Sequence, residues 1–277
     1  MSSEHDPVIE VEGLAVRYGD RTVLQDVTFD VRRGEVFVIV GGSGSGKTTL
    51  IRNLVGLMQP AAGTIRINGR NVAAMSADER AELRTGMGVC FQSSALFNSM
   101  TIGDNIALAL RELTDLEEST IEIMTRIKLE LVGLGGFEDY LPAELSGGMK
   151  KRAGIARAMA MDPEIIFYDE PSAGLDPIVA AGIDNLIRKL QQTFELTSVV
   201  VTHEMESVKL IADRVCMLEK GRIVGLGTLE ELEQSEHPYV RQFLAREPDP
   251  ESSDDSAYAR SLTGSNPTEE NHASDQE

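Results

Sequence analysis

Gly41-Gly42-Ser43-Gly44-Ser45-Gly46-Lys47-Thr48-Thr49 fits the pattern G-x-x-x-x-G-K-[ST] of a phosphate-binding loop. The five residues before it, Val36-Phe37-Val38-Ile39-Val40, are all apolar and read as a buried parallel strand. The residues after it, Leu50 to Val55, read as the opening of a helix. Strand, glycine loop and helix is the context in which the pattern has a mechanism. Glycines reach positive φ and let the backbone close on an anion, where successive N–H groups and a helix N-terminus converge. Lys47 then supplies a cation to the β- and γ-phosphates, and the Thr48 hydroxyl a ligand to Mg²⁺.

Outside this loop, length and composition limit the function classes. The chain has 277 residues, enough for one large domain or two small ones, and 42% of them are hydrophobic, so a sizeable core is available. A net charge of −19 argues against a general nucleic-acid binder, which needs clustered Lys and Arg. Cys90 and Cys216 stand far apart and in no metal-ligand spacing, as expected of two reduced thiols in a cytosolic protein. The polar, acidic start (Met1 to Pro7) is no signal peptide, and no apolar run nears the ~20 residues that span a bilayer. Any membrane role is therefore expected to come through a partner.

Residues 8 to 34 alternate like strands (8–11, 14–18 and 27–31), with Gly13, Gly19-Asp20 and Arg33-Gly34 as turns. Residues 63 to 69 read as a further strand ending in an Asn-Gly turn. These predict an antiparallel sheet beside the phosphate-loop core. A helix is expected over 76–86, with Ser76 and Glu79 at capping-box spacing. From about 101 to 160 the pattern is mostly helical, with Thr101 and Ser119 as caps and breaks at Gly133, Gly135-Gly136 and Pro142. Residues 215 to 224 read as a hairpin, and helical pieces run to about Ala245. From 247 the composition turns acidic and polar, so residues 247–277 are expected to be disordered or ordered only on a partner.

Two more apolar strands end in reactive side chains. Ile165-Ile166-Phe167-Tyr168 runs into Asp169-Glu170, and Ser198 to Thr202 runs into His203. In an open α/β sheet, ligands sit at the carboxyl ends of strands, so three loaded ends point to one site. Asp169 is placed to bind Mg²⁺ opposite Thr48. Glu170 is placed to polarise an attacking water as general base, and His203 to hydrogen-bond the γ-phosphate and hold that water. Ser146-Gly147-Gly148, with Ser146 as N-cap, opens a helix and makes a second anion site about a hundred residues from the first.

With Leu145-Ser146-Gly147-Gly148 lying between the phosphate loop and the Asp169-Glu170 strand, the chain resembles the nucleotide-binding subunits of ATP-binding-cassette (ABC) transporters over about residues 8 to 245. The resemblance implies an α/β P-loop NTPase core with a mostly parallel sheet, an antiparallel β subdomain and a helical subdomain at about 97–160. It implies that Tyr18 stacks on adenine. Gly41 to Thr49 is then the Walker A loop, and Gln92 reaches Mg²⁺ and the attacking water. Ser146 to Met149 becomes the signature, Asp169 and Glu170 the Walker B pair, 172–176 the D-loop and His203 the switch histidine. It further implies a second copy of the chain, paired head to tail, with each ATP between one Walker A loop and the other signature. Residues 93–105, with Ala95, Leu96, Phe97 and Met100, would meet the transmembrane permease.

A finer resemblance rests on Met149, where importers and many exporters carry Gln, on Gly41-Gly42, where many relatives have Gly-Pro, and on the runs 91–101 and 169–178. These are similar to the Mla/Mkl group, ATPases that power lipid movement between bacterial membranes. It implies a phospholipid transporter on the cytoplasmic side of the inner membrane, with a periplasmic lipid-binding subunit as partner. A small-solute importer, a regulatory ABC ATPase of cell division, and a soluble ABC ATPase acting on DNA or ribosomes share the motifs. The acidity, the single cassette and the lack of sustained heptads weigh against the last. For the tail, the reading is a solubilising extension, or packing on the other ATPase subunit through Tyr239, Phe243, Tyr258 and Leu262.

Overall fold

The computed structural model describes residues 7–247. β1 (Pro7–Tyr18) and β2 (Arg21–Arg32) are antiparallel partners. Sequence reading splits the first of these at Gly13. The structure instead makes Gly13 (φ +57°) a bulge within one strand, its N–H bonded to Thr28 Oγ1 at 2.9 Å. β3 (Val36–Gly41) feeds the glycine loop and α1 (Lys47–Leu54). β4 (Ala62–Ile67) pairs with β1 and, across Asn68-Gly69, with β5 (Arg70–Asn71). Both turn residues have positive φ (49° and 71°), as an Asn-Gly hairpin turn requires. The order β2-β1-β4-β5 completes the expected antiparallel sheet.

The capping box of Ser76 and Glu79 opens α2 (Ala77–Thr85), which leads to β6 (Met87–Cys90). Three helices follow: α3 (Ile102–Leu113), α4 (Glu118–Leu131) and α5 (Gly147–Ala158). Thr101 and Ser146 cap α3 and α5 through their hydroxyls, but Ser119 does not cap α4. That helix starts two residues earlier, at Glu118 with Glu117 as N-cap and no side-chain cap bond, and Arg111 pairs with Glu118 in its first turn at 2.5 Å. The chain continues through β7 (Ile165–Asp169), α6 (Pro177–Phe194), β8 (Thr197–Thr202) and α7 (Met205–Ile211). The expected hairpin is β9 (Arg214–Glu219) with β10 (Arg222–Gly227), followed by α8 (Leu229–Glu233) and α9 (Pro238–Ala245).

The second sheet has the order β10-β9-β3-β8-β7-β6, parallel throughout except for its β10 edge. All five residues of the run 36–40 have no exposed surface. The period of two divides them between two cores. Val36, Val38 and Val40 join Ile166, Tyr168 and Val200 under the helices from α3 onward. Phe37 and Ile39 face Phe167, Val201 and Leu218, with α1 and the antiparallel sheet above them. Burying such a side chain contributes about 1.5–3 kcal/mol. Parallel register then places the ends of β3, β8, β7 and β6 on one edge, with Val40 opposite Thr202, Asp169 opposite Val201 and Cys90 opposite Tyr168.

Among the described residues, no helix is long and apolar enough to cross a membrane. The expectations for residues 248–277, including Tyr258 and Leu262, lie outside the described residues. Tyr239 and Phe243 are described, and both pack against the core of their own chain.

Candidate active site

The glycine loop turns as its spacing requires. Gly41 (φ +155°) leaves β3 where a Cβ would sit 2.2 Å from the Leu218 carbonyl oxygen. Gly46 (φ +105°) is the N-cap of α1, and a Cβ there would meet Leu24 at 2.6 Å. The loop is thus wedged between β9 and β2, and only glycine fits at either end. Ser43, Gly44 and Thr48 are exposed on its outer side, while Ser45 is buried. Thr49 lies in the first turn of α1, its carbonyl accepting from Asn53 Nδ2 at 2.8 Å. Lys47 is buried, and its Nζ donates to the carbonyls of Gly41 (2.8 Å) and Gly42 (3.1 Å). Burial lowers its pKa, and the nearby carboxylates of Glu170 and Asp169 oppose that fall.

Asp169 ends β7 beside the loop. Burial raises its pKa first and Glu170 second, whereas Arg52, a hydrogen bond from Thr48 and Lys47 lower it. The Thr48 hydroxyl therefore lies near Asp169. Asp169 Oδ1 is buried without a hydrogen-bond partner. Glu170 is 8% exposed and sits at φ 50°, a left-handed conformation uncommon for a side chain of its kind. Its N–H bonds the Val201 carbonyl at 2.9 Å, which ties the strained residue to β8. His203 Nδ1 lies 2.9 Å from both Glu170 carboxylate oxygens, and its Nε2 lies 3.4 Å from Glu204. The structure thus joins His203 to the carboxylate beside it, a pairing that strand-end reading alone does not specify.

Tyr18 is half-exposed at the β1–β2 turn, and its hydroxyl contacts Met58 Sδ at 3.0 Å. Since β2 packs on Gly46, that turn is carried by the hairpin flanking the loop. Gln92 follows β6 and is exposed. Ser146, Gly147 and Gly148 lie at the start of α5. Ser146 Oγ accepts from Met149 N at 3.3 Å, while Gly147 and Gly148 face Leu175 and Val179 at the start of α6. A Cβ on Gly148 would lie 2.5 Å from Val179 Cγ1. The chain therefore brings together the loop, Asp169, Glu170 and His203, while Gly147 and Gly148 lie against Leu175 of the D-loop and Val179 of α6. Asp176 of that loop caps α6, accepting from the N–H groups of Ile178 (3.1 Å) and Val179 (3.0 Å).

Two contacts escape sequence reading. The Gly42 N–H donates to Tyr239 Oη at 2.9 Å, across 197 positions in the chain. No local pattern carries that pairing. Lys151 is buried in α5, and its Nζ donates to the carbonyls of Gln92 and Glu170. Its signal is legible in retrospect: Gly148, Lys151 and Ile155 are spaced i, i+3, i+7, which places the lysine on the buried stripe of the helix.

A family model described as "ABC transporter" matches residues 24–173. The intermembrane phospholipid transport system ATP-binding protein MlaF of Haemophilus influenzae is 42% identical over 242 residues, 87% of this chain and 92% of the relative. The probable ribonucleotide transport ATP-binding protein mkl of Mycobacterium leprae is 45% identical over 236 residues, 85% of this chain and 68% of the relative. A dimeric ATP-binding cassette, MJ0796, in a post-hydrolysis state bound to ADP and Pi, superposes with a TM-score of 0.73 at 28% identity over 80% of this chain and 98% of its own. Sequence, sheet order and the strand-end chemistry agree, and the chain is an ATPase that belongs to the ABC transporter family.

Proposed function

We propose that this chain is the ATP-hydrolysing motor of a transporter that moves phospholipid between bacterial membranes. The observation that carries the motor is the single sheet edge on which the glycine loop, Asp169, Glu170 and His203 meet. Gly41 to Thr49 cradle the phosphates, with Lys47 turning from its loop carbonyls to the β- and γ-oxygens. Glu170 accepts a proton from the attacking water. His203, bonded to that carboxylate, orients it and reaches the γ-phosphate. Gln92 closes the water side, and Tyr18 offers a ring to the adenine.

The donor set fits Mg²⁺: Thr48 lies near Asp169, and Asp169 Oδ1 is a buried acceptor without a partner. Thr48, Asp169 and Gln92 would hold the ion, which would neutralise charge between β- and γ-phosphates. Ser146 to Gly148, at the N-terminus of α5, serve the nucleotide of a second copy. This supports a head-to-tail dimer enclosing two ATP molecules. Phe97, half-exposed and braced by Asn105 through Oδ1 (2.7 Å) and Nδ2 (3.1 Å), offers an apolar contact to a permease subunit at the cytoplasmic face of the inner membrane.

Phospholipid as cargo is supported by the likeness to proteins named MlaF. A periplasmic lipid-binding subunit belongs to the same reading. The name of the mycobacterial relatives favours a second reading, ribonucleotide transport. The chain spans about two thirds of those relatives' length and about nine tenths of the MlaF proteins. Purifying the tagged chain from native membranes in mild detergent separates the readings. A co-purifying permease with a periplasmic subunit and bound phospholipid supports the proposal. A permease with a soluble solute-binding protein and no lipid contradicts the cargo, and no membrane partner contradicts transport.

A further inference from the structure

The signature helix does more than present its own N-terminus. One turn into α5, Lys151 is 7% exposed, and its Nζ donates to the Gln92 carbonyl at 2.6 Å and the Glu170 carbonyl at 3.0 Å. Those carbonyls belong to separate loops, after β6 and after β7. Six residues further along the same helix, Arg157 donates to the carbonyls of Ser94 (2.8 Å) and Ala95 (2.6 Å). Between the two cations, Gly154 lets the loop lie on the helix: a Cβ there would come within 3.1 Å of Ser94 Cβ.

The segments held this way are strained. Ser94, Ala95 and Glu170 have φ of 60°, 46° and 50°, all left-handed and none of them glycine. Such residues keep their conformation only where the surroundings over-determine it. Here two cations on one helix supply the restraint. Burial lowers the Lys151 pKa, while Cys90, Glu170 and Asp169 act to raise it. A buried ammonium with two carbonyl acceptors has a position fixed by both loops, and each loop in turn is positioned by it.

We propose that Lys151 is a positioning residue that couples the two nucleotide sites of the dimer. Resting on the head-to-tail reading above, this coupling follows from lever geometry. Ser146 to Gly148 at the tip of α5 engage the nucleotide on the partner's loop. Lys151, on the same rigid helix, holds the backbone of Gln92 and Glu170 in the chain's own site. Seating of α5 on the partner's nucleotide sets the placement of both groups, so each site completes its water-activating geometry only when the other is filled.

The test is steady-state ATP hydrolysis by the full chain with Lys151→Met, which removes both donors and keeps the apolar stem, and with Lys151→Arg, which keeps the cation. K151M is expected to lower kcat by about 10- to 100-fold, with KM and the Kd of a fluorescent ATP analogue held within about twofold. The Hill coefficient of the ATP dependence is expected to fall from its wild-type value toward one, and K151R to recover both readouts. If K151M does not fold, as judged by thermal melting, K151Q replaces it. Unchanged kcat in the substituted chain overturns the proposal, and so does a lowered kcat with wild-type cooperativity. A parallel control in the Glu170→Gln background keeps the two claims apart. ATP-induced dimers with normal K151M cooperativity overturn the role of Lys151 alone, whereas no ATP-induced dimer overturns the head-to-tail reading beneath it.

Discussion

Gly148 shows what a single residue contributes to the second anion site proposed above. Its place after Ser146 marks it as a backbone donor, but the structure adds a steric reason, the 2.5 Å approach of a would-be Cβ to Val179. Gly148→Ala should therefore displace the tip of α5 and lower kcat about tenfold or more, because misplaced transition-state contacts cost catalysis before they cost binding. ATP affinity at the chain's own loop should hold. Adding Val179→Ala makes room and should recover part of the loss, which enzyme assays of the single and double variants would check. Asp169, Glu170 and His203 were legible in the sequence because each ends an apolar run. Their mutual arrangement was not, since the His203–Glu170 contact depends on which strands become neighbours. Apolar runs mark strands as buried and leave their order open.

Helix α9 has a role within its own chain that sequence reading does not assign. Tyr239 and Phe243, expected either in a solubilising extension or as anchors on the other ATPase subunit, pack on the chain's own core, their rings 5.9 Å apart, and Tyr239 Oη accepts the Gly42 N–H. Gly42 makes that contact available, because a proline there would lack the donor. The last described helix thus braces the phosphate loop from outside the loop's own sequence. Tyr239→Phe removes a hydrogen bond with a net contribution of about 1 kcal/mol. ATP binding, measured by titration, should weaken about fivefold. In a Gly42→Pro background the same substitution should have almost no effect, since the partner N–H is already gone. Local chemistry announced the other elements better. The capping box of Ser76 and Glu79, the Asn-Gly turn and the fully apolar strands all appear where expected, because each depends on neighbours in sequence. The start of α4 differs from the serine reading: it lies at Glu118, which pairs with Arg111 seven positions away, a contact no local pattern specifies.

At the scale of the whole molecule, two cores share one central sheet, and the two cysteines lie one in each. Burial pushes the Cys90 thiol up to about 11 and the Cys216 thiol up to about 12. Only the thiolate reacts, so at neutral pH both should resist a thiol reagent such as DTNB in the native protein and react fully in urea. Rapid native labelling of either would contradict the packing of that face. The same architecture explains the division of labour in the active site. Parallel strands deliver the phosphate loop, Asp169, Glu170 and His203 to one edge, while α5 holds Ser146 to Gly148 beside Leu175 and Val179. The central claim is that Glu170 activates water for ATP held by this edge. It is tested most directly by comparing ATP hydrolysis and ATP-dependent dimerisation of the wild-type chain and Glu170→Gln. The account predicts that the variant binds ATP, accumulates as an ATP-bound dimer and turns over at least about a hundredfold more slowly. Near-normal turnover by the variant would contradict it.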